Sequence, residues 1–270
     1  MIRNIDDITE KVCEIAIDTG DFILAELPKI QTSDIFDKDV NSFVTYVDKT
    51  AEQRIISSLI KMMPDAGFIV EENSIRKDGN EYKWIVDPLD GTTNYIHGIP
   101  CFSVSIALMK GDQLISGVVY EINKNECFYA WRGGGAWLNG RPIKVSSAAS
   151  LQDSLLATGF PYFDYSLLDD YMKLFIWCLQ NTRGVRRIGS AAVDLAYVAC
   201  GRFEGFFEYS LSPWDVAAGS LIVQEAGGKV SDFSGKDNYL FGKEIVASNM
   251  GVYRELMKQL NQCFDQKKSS

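Results

Sequence analysis

Two aspartates three residues apart, Asp87 and Asp90, stand in the segment Trp84-Ile-Val-Asp-Pro-Leu-Asp-Gly-Thr-Thr-Asn94. The apolar residues before them have the length and composition of a buried strand, so Asp87 arrives at the C-terminal end of that strand. Pro88 is expected to stop the sheet, Asp90-Gly91 to turn, and Thr92, Thr93 and Asn94 to supply caps for a short helix. Two carboxylates on a rigid corner, beside the N–H groups of a helix start, suit a hard divalent cation and a phosphate. The same letters also spell an ordinary Pro-x-Asp-Gly turn, and alone they do not separate the two readings.

Other acidic residues fall at comparable places. Glu71 and Glu72 follow the strand-like Phe68-Ile-Val70, Asp48 closes Phe43-Val-Thr-Tyr-Val-Asp48, and Asp215 opens a helix in Ser212-Pro-Trp-Asp-Val-Ala-Ala-Gly219. Each one singly is a cap or a solvated charge. Together they set acids at strand ends or helix starts in both halves of the chain, where α/β folds assemble sites. The competing chemistries are poorly represented. His97 is the single histidine, which excludes His-rich zinc sites, argues against a Ser-His-Asp triad, and is itself read as structural. Neither a P-loop nor a GxGxxG after a strand occurs, and Gly133-Gly134-Gly135 reads as a tight turn. Chemistry here must run mainly on carboxylates.

The elements that would position these residues can be traced by periodicity. Ile5, Ile8, Val12, Ile15 and Phe22 predict a helix over 5–27 ending at Pro28, and Ile55, Ile56, Leu59, Ile60 and Met63 a second over 48–63. Residues 102–109 and 114–121 flank Gly111-Asp112 as a hairpin, and a further strand–turn pair ends at Leu138-Asn139-Gly140. Beyond that, strands are predicted at 154–158, 184–188, 203–208 and 244–248, and helices at 166–181, 190–200, 214–226 and 252–264. Gly201 and Gly227-Gly228 stand at C-cap positions. No linker or repeat divides the chain. Two subdomains, 1–145 and 146–270, packed as one unit in a layered α/β arrangement are expected, with a disordered QKKSS tail.

Composition narrows the partners. Lys and Arg number 27 against 36 Asp and Glu, a net charge of −9, which argues against nucleic acid and anionic membranes as general partners. No apolar run approaches the roughly 18–20 residues of a membrane span, and the polar start MIRNIDDITE is no signal peptide. The six cysteines form no CxxC pair and several lie in apolar surroundings, so a reducing, cytoplasmic location is expected.

The segments FVTYVDKTAE (43–52), FIVEEN (68–73), WIVDPLDGTTNYIHGIP (84–100), RRIGSAAVDLAYVACGRFEGFFE (186–208) and SPWDVAAG (212–219), in that order and spacing, resemble the inositol monophosphatase family, Mg²⁺-dependent and lithium-sensitive phosphatases, and within it the bacterial branch. The resemblance implies an alternating α-β-α-β-α sandwich and hydrolysis of myo-inositol monophosphate by a metal-activated water. By it, Glu71, Asp87 and the Leu89 carbonyl would hold one Mg²⁺, Asp87, Asp90 and Asp215 a second, and Glu71 with waters a looser third, with Li⁺ inhibiting. Asp48 and Thr92 would orient the attacking water. Asp90 and the Gly91-Thr92-Thr93 turn would cradle phosphate, while Glu208 and Gly189-Ser190-Ala191 would meet substrate hydroxyls. Bound Mg²⁺ would lower the pKa of its water and neutralise phosphoryl charge, supplying a nucleophile without histidine.

One departure is Ser42, with Asp39 nearby, where the family often has an acid, which leaves the third ion and the loop 36–43 open. Arg186 and Arg187 fit a substrate contact or the interface of a homodimer, the latter being favoured because the family is commonly dimeric. Rival substrates are fructose 1,6-bisphosphate, histidinol phosphate and a nucleotide 3′-phosphate, the last disfavoured by GTTN in place of a GTKE-like turn. A haloacid dehalogenase mechanism needs a D-x-D pair, whereas Asp87 and Asp90 have two residues between them. A regulatory protein bound to the transcription machinery is the alternative from another class.

Overall fold

Helix α1 (Ile5–Glu26) and helix α2 (Tyr46–Met62) each bury one stripe, α1 through Ile8, Val12, Ala16 and Ile23, α2 through Val47, Ala51, Ile55 and Leu59. In this computed structural model the described residues are 4–31, 34–39, 42–73, 75, 77–79, 81–162 and 164–264. Between α1 and α2, β1 (Ile35–Asp39) and β2 (Ser42–Thr45) form an antiparallel ladder. The segment expected as a loop is therefore largely paired backbone, and the predicted QKKSS tail lies outside the described residues.

The two helices cover one face of a seven-stranded sheet. Its strands are β3 (Gly67–Val70), β4 (Tyr82–Asp90), β5 (Ser103–Lys110), β6 (Gln113–Glu121), β7 (Glu126–Trp131), β8 (Ala136–Leu138) and β9 (Arg141–Ile143), in sequence order. Only β3–β4 is parallel; the rest is a meander of hairpins. A short helix, α3 (Thr92–Ile96), follows β4. The hairpin around Gly111-Asp112 and the tight turn at Gly133–Gly135 stand where periodicity and glycine placed them.

The second sheet holds β10 (Leu155–Thr158), β11 (Gly184–Arg186), β12 (Gly205–Tyr209), β13 (Lys229–Ser231) and β14 (Glu244–Ser248) in the order β11-β10-β12-β14-β13. Helices α5 (Ala191–Ala199) and α6 (Pro213–Glu225) lie between the sheets, and α4 (Leu168–Asn181) and α7 (Met250–Phe264) close the far side. Three apolar layers result: α1 and α2 on the first sheet, α5 and α6 between both sheets, and α4 and α7 on the second. The composition of the central helices explains their position. All nine residues of α5 are buried, as is the run Val216–Val223 of α6, and a helix apolar on every side belongs inside. Among the described residues no helix is long and apolar enough to cross a membrane.

Two expectations need correcting. Strand β4 does not stop at Pro88: Asp87 pairs with Ser105, the register slips, and Asp90 pairs with Ser103. Three steps on β4 thus face two on β5, a bulge that takes up Pro88, which has no N–H to contribute. Strand β13 went unpredicted because three residues are too few to show a period.

The central layer depends on a row of small residues. Ala107, Gly117 and Ala130 stand side by side on β5, β6 and β7, and a Cβ on Gly117 would lie 2.8 Å from the Ala218 carbonyl oxygen and 3.0 Å from its Cα. Because backbone of α6 cannot retreat from backbone of β6, Gly117→Ala is expected to cost about 1–3 kcal/mol by overpacking. That corresponds to a Tm lower by roughly 2–4 °C for each kcal/mol in thermal unfolding, and an unchanged Tm would refute the seating of α6.

Candidate active site

Because β3 and β4 run parallel, their C-terminal ends share one edge, and the ladder continues as the Glu71 N–H donates to the Val86 carbonyl at 3.3 Å. Glu71 is thereby set next to Asp87, and the two carboxyls are hydrogen-bonded. Asp87 is buried, and its Oδ1 accepts the Leu89 N–H at 3.0 Å across the bulge. Asp90, at the far side of the bulge, accepts the Ser190 hydroxyl at 2.6 Å and the Ala192 N–H at 2.8 Å on the same Oδ2. Asp215 reaches the same place from α6, where its Oδ2 caps the helix by accepting the Ser212 N–H at 2.7 Å.

The turn after the bulge differs from its expected form. Gly91, at φ 96°, is itself the N-cap of α3, and no side chain caps that helix. Only glycine fits: a Cβ would fall 3.1 Å from the Cys101 oxygen and 3.2 Å from the Gly189 oxygen, at a φ that other residues rarely adopt. Thr92, Thr93 and Asn94 are freed for other work. The Thr92 Oγ1 lies 3.0 Å from both Asp48 Oδ1 and the Leu89 carbonyl, two acceptors for one proton. Asn94 Nδ2 donates to the Cys101 and Ile188 carbonyls, both at 2.8 Å, and so staples the corner to the segment that leads into α5. Asp48 is a cap as well, since its Oδ2 accepts the Thr45 N–H at 2.8 Å and the Thr45 hydroxyl at 2.6 Å, and its second oxygen meets Thr92.

A cleft of about 310 Å³ opens between the two halves. Glu71, Asp87, Leu89, Asp90, Gly91, Thr92, Thr93, Gly189, Ser190, Ala191, Glu208 and Asp215 all line it, so of the residues expected to bind metal, water or substrate Asp48 alone stands behind the wall, one hydrogen bond away through Thr92. His97 is an exposed C-cap of α3 and lies outside the cleft. The arginine pair is split. Arg186 is exposed on β11, whereas Arg187 lines the cleft and donates from Nη2 to the Tyr162 hydroxyl at 2.8 Å. Sequence reasoning passed over Gly159, Tyr162 and Asp194, and gave Asn94 a capping role alone. Only Asp194 carried a local signal, as the one acid in the apolar stretch Ser190-Ala-Ala-Val-Asp-Leu-Ala-Tyr-Val-Ala-Cys200.

A sequence model of the inositol monophosphatase family matches residues 4–269. The chain belongs to that family. It is 44 % identical over 243 residues to the Nus factor SuhB of Pseudomonas aeruginosa, a match that covers 88 % of this chain and 90 % of that protein. It is 39 % identical over 246 residues to the inositol-1-monophosphatase of Mesorhizobium japonicum, with 91 % and 92 % covered. Among solved structures it is similar to the extragenic suppressor protein suhB of Bartonella henselae, with a TM-score of 0.88, 38 % identity, and 92 % of this chain and 96 % of that one covered. The inositol monophosphatase of Thermotoga maritima gives a TM-score of 0.87 at 33 % identity, covering 96 % and 99 %.

In this member of the inositol monophosphatase family the cleft is electrostatically one-sided. Arg187 is the single cationic side chain among its described lining residues. Burial first, then the charges of Glu71, Asp90 and Asp215, holds the Asp87 carboxyl well above the usual range. Burial pushes Asp90 up to about 6 against the opposing pull of Ser190, Ala192 and Arg187. Glu208 and Asp194 are likewise raised by burial and then by neighbouring acids, and burial raises Asp48 despite its bonds to Thr45 and Thr92. No three acidic side chains among the described residues converge into a finished coordination shell. The donor chemistry nonetheless fits a hard cation, whose charge would offset the repulsion of Asp87 by Glu71, Asp90 and Asp215.

The sign of the pH effect follows from these shifts. A carboxyl whose folded pKa is raised contributes stability that is full below its unfolded pKa and is lost as pH rises through the folded one. Asp87→Asn keeps the shape and the acceptor for Leu89 but not the charge. In EDTA its Tm is expected to exceed that of the wild type at pH 8, with the gap closing as the pH falls towards the ordinary carboxyl range. A variant that melts lower than the wild type at pH 8 would contradict this.

Proposed function

We propose that this chain is a Mg²⁺-dependent phosphomonoesterase that hydrolyses myo-inositol monophosphate by direct attack of water. The observation that carries the reading is the gathering of Glu71, Asp87, Asp90 and Asp215 in one cleft with the Gly91–Thr93 turn, where neither histidine nor cysteine is among the described lining residues. Glu71, Asp87 and the Leu89 carbonyl would hold one ion, Asp87, Asp90 and Asp215 a second, and Glu71 would support a third. Bound there, Mg²⁺ supplies neutralisation of phosphoryl charge and a lowered pKa for water.

The chain's own groups do the rest. With its proton given to Asp48 Oδ1, the Thr92 oxygen keeps lone pairs for the proton of an incoming water, and Asp48 stabilises that arrangement from behind. Amides of the Gly91–Thr93 turn suit the phosphate oxygens, and Glu208 with Gly189–Ala191 suits the hydroxyls of the alcohol. Fructose 1,6-bisphosphate, histidinol phosphate and other small phosphates remain rival substrates for the same chemistry. A regulatory role is a second reading, supported by the Pseudomonas aeruginosa and Escherichia coli relatives that bear the name Nus factor SuhB, and a pull-down that finds no macromolecular partner would count against it. A homodimer is proposed too, supported by Ile176 and Leu179, each 50 % exposed on α4 beside the edge strand β11; light scattering would decide it.

Phosphate release from myo-inositol 1-phosphate is expected to require Mg²⁺, to be inhibited by Li⁺, and to fall by roughly 10² or more in kcat/KM in Asp90→Asn and Asp215→Asn, on the scale of losing one transition-state electrostatic contact. Full activity in EDTA would reject the reading, and a panel of sugar and inositol phosphates would rank the substrates.

A further inference from the structure

One carboxyl in the cleft is explained neither by the fold nor by the acidic set above. Asp194 is 1 % exposed, and its Oδ1 has no hydrogen-bond partner in the protein. It sits on α5, as the one acid in a helix whose residues are all buried. A buried polar atom left unpaired is strongly destabilising, and one that persists in a cleft wants a ligand. Asp194 does line the cleft.

Its surroundings say which part of a ligand it meets. The charges acting on Asp194 are those of Glu208, Asp90 and Arg187, whereas those acting on Asp87 are Glu71, Asp90 and Asp215. Asp194 and Glu208 line the same cleft, and Asp90 and Arg187 act on both. Glu208 in turn lies over Gly159, where any Cβ would run into its carboxyl, so glycine at that point makes room for the Glu208 carboxyl at the cleft wall. Two carboxyls from different elements, α5 and β12, therefore line the cleft together with the Gly189–Ala191 turn. Acceptors without donors of their own call for O–H groups.

We propose that Asp194 is a further specificity-determining residue: beside Glu208, already assigned to the substrate hydroxyls, it accepts a hydrogen bond from one more hydroxyl of the substrate alcohol and so adds to the preference for polyol over aryl phosphate esters. The inference rests on the phosphomonoesterase reading above. A site built to bind substrate hydroxyls rejects analogues that lack them, because its own buried groups then stay unpaired.

The test compares Asp194→Ala, which removes the acceptor, with the wild type on myo-inositol 1-phosphate and p-nitrophenyl phosphate, alongside thermal unfolding of Asp194→Asn in EDTA at pH 8. The ratio of kcat/KM for the polyol ester over the aryl ester is expected to fall at least about tenfold, and Asp194→Asn to melt a few degrees above the wild type, since it loses an unpaired charge. An unchanged ratio, or an Asp194→Asn protein that melts lower, would overturn the proposal and make Asp194 a structural residue. Should the wild type hydrolyse neither ester, the phosphomonoesterase reading fails by itself. Calorimetric titration of wild type and Asp194→Ala with myo-inositol 1-phosphate and with inorganic phosphate then decides the role of Asp194. Weaker binding confined to the polyol ester supports it, and equal changes for both ligands overturn it.

Discussion

The Asp90 carboxylate accepts the Ser190 hydroxyl and the Ala192 amide on a single oxygen, and these two bonds hold the bulged end of the first sheet against the start of α5. Around this clip Asn94 bridges the Cys101 and Ile188 carbonyls, and Gly91 and Gly189 come close enough that a Cβ on the former would crowd the oxygen of the latter. The cleft exists because this seam closes. Its first wall comes from β3, β4 and the corner after them, and its second from α5, β12 and the start of α6. The clip carries an electrostatic burden, since burial that drives Asp90 up to about 6 is produced by the same closure. Building the site and making its charge costly are one event.

What could be read from the chain follows from how local each cause is. The strand expected at 244–248 is β14 at its observed limits, and the helix expected at 214–226 is α6 displaced by one residue, because apolar runs bounded by glycine, proline or a cap state their own boundaries. Most of the acidic site was legible for a similar reason, as strand ends and helix starts are visible in sequence and parallel β3–β4 pairing then sets Glu71 beside Asp87. Pro88 misled, because its missing N–H excludes it from a regular ladder but not from a bulge. Thr92 and Asn94 misled as well. Their propensity for caps is real, but Gly91 takes the cap and the two side chains spend their hydrogen bonds on Asp48, Leu89, Cys101 and Ile188. Those partners lie up to 94 residues away, a relation that no local pattern carries. Gly159 is the extreme case, since its reason for being glycine is the Glu208 carboxyl on another strand.

The net charge of −9 takes on a different meaning once the cleft is known. Asp48, Glu71, Asp87, Asp90, Asp194, Glu208 and Asp215 stand in or just behind one cavity of about 310 Å³ whose described lining offers Arg187 as its cation. A dianionic phosphate ester approaching such a surface alone is repelled at short range, where a low effective dielectric magnifies each charge. Arg187 is partly engaged with Tyr162 and offsets only part of that field. Under the proposed function, divalent cations and phosphate therefore favour each other's binding by linkage, each lowering the free energy of the other's arrival. The apparent affinity for either ligand then depends on the concentration of both. The polyol end experiences a different field, because neutral hydroxyls gain from the acceptors that repel the phosphate. On the proposed function, charge would sort the two ends of the substrate within one cleft, with cations and amides around the phosphate and carboxyls around the alcohol.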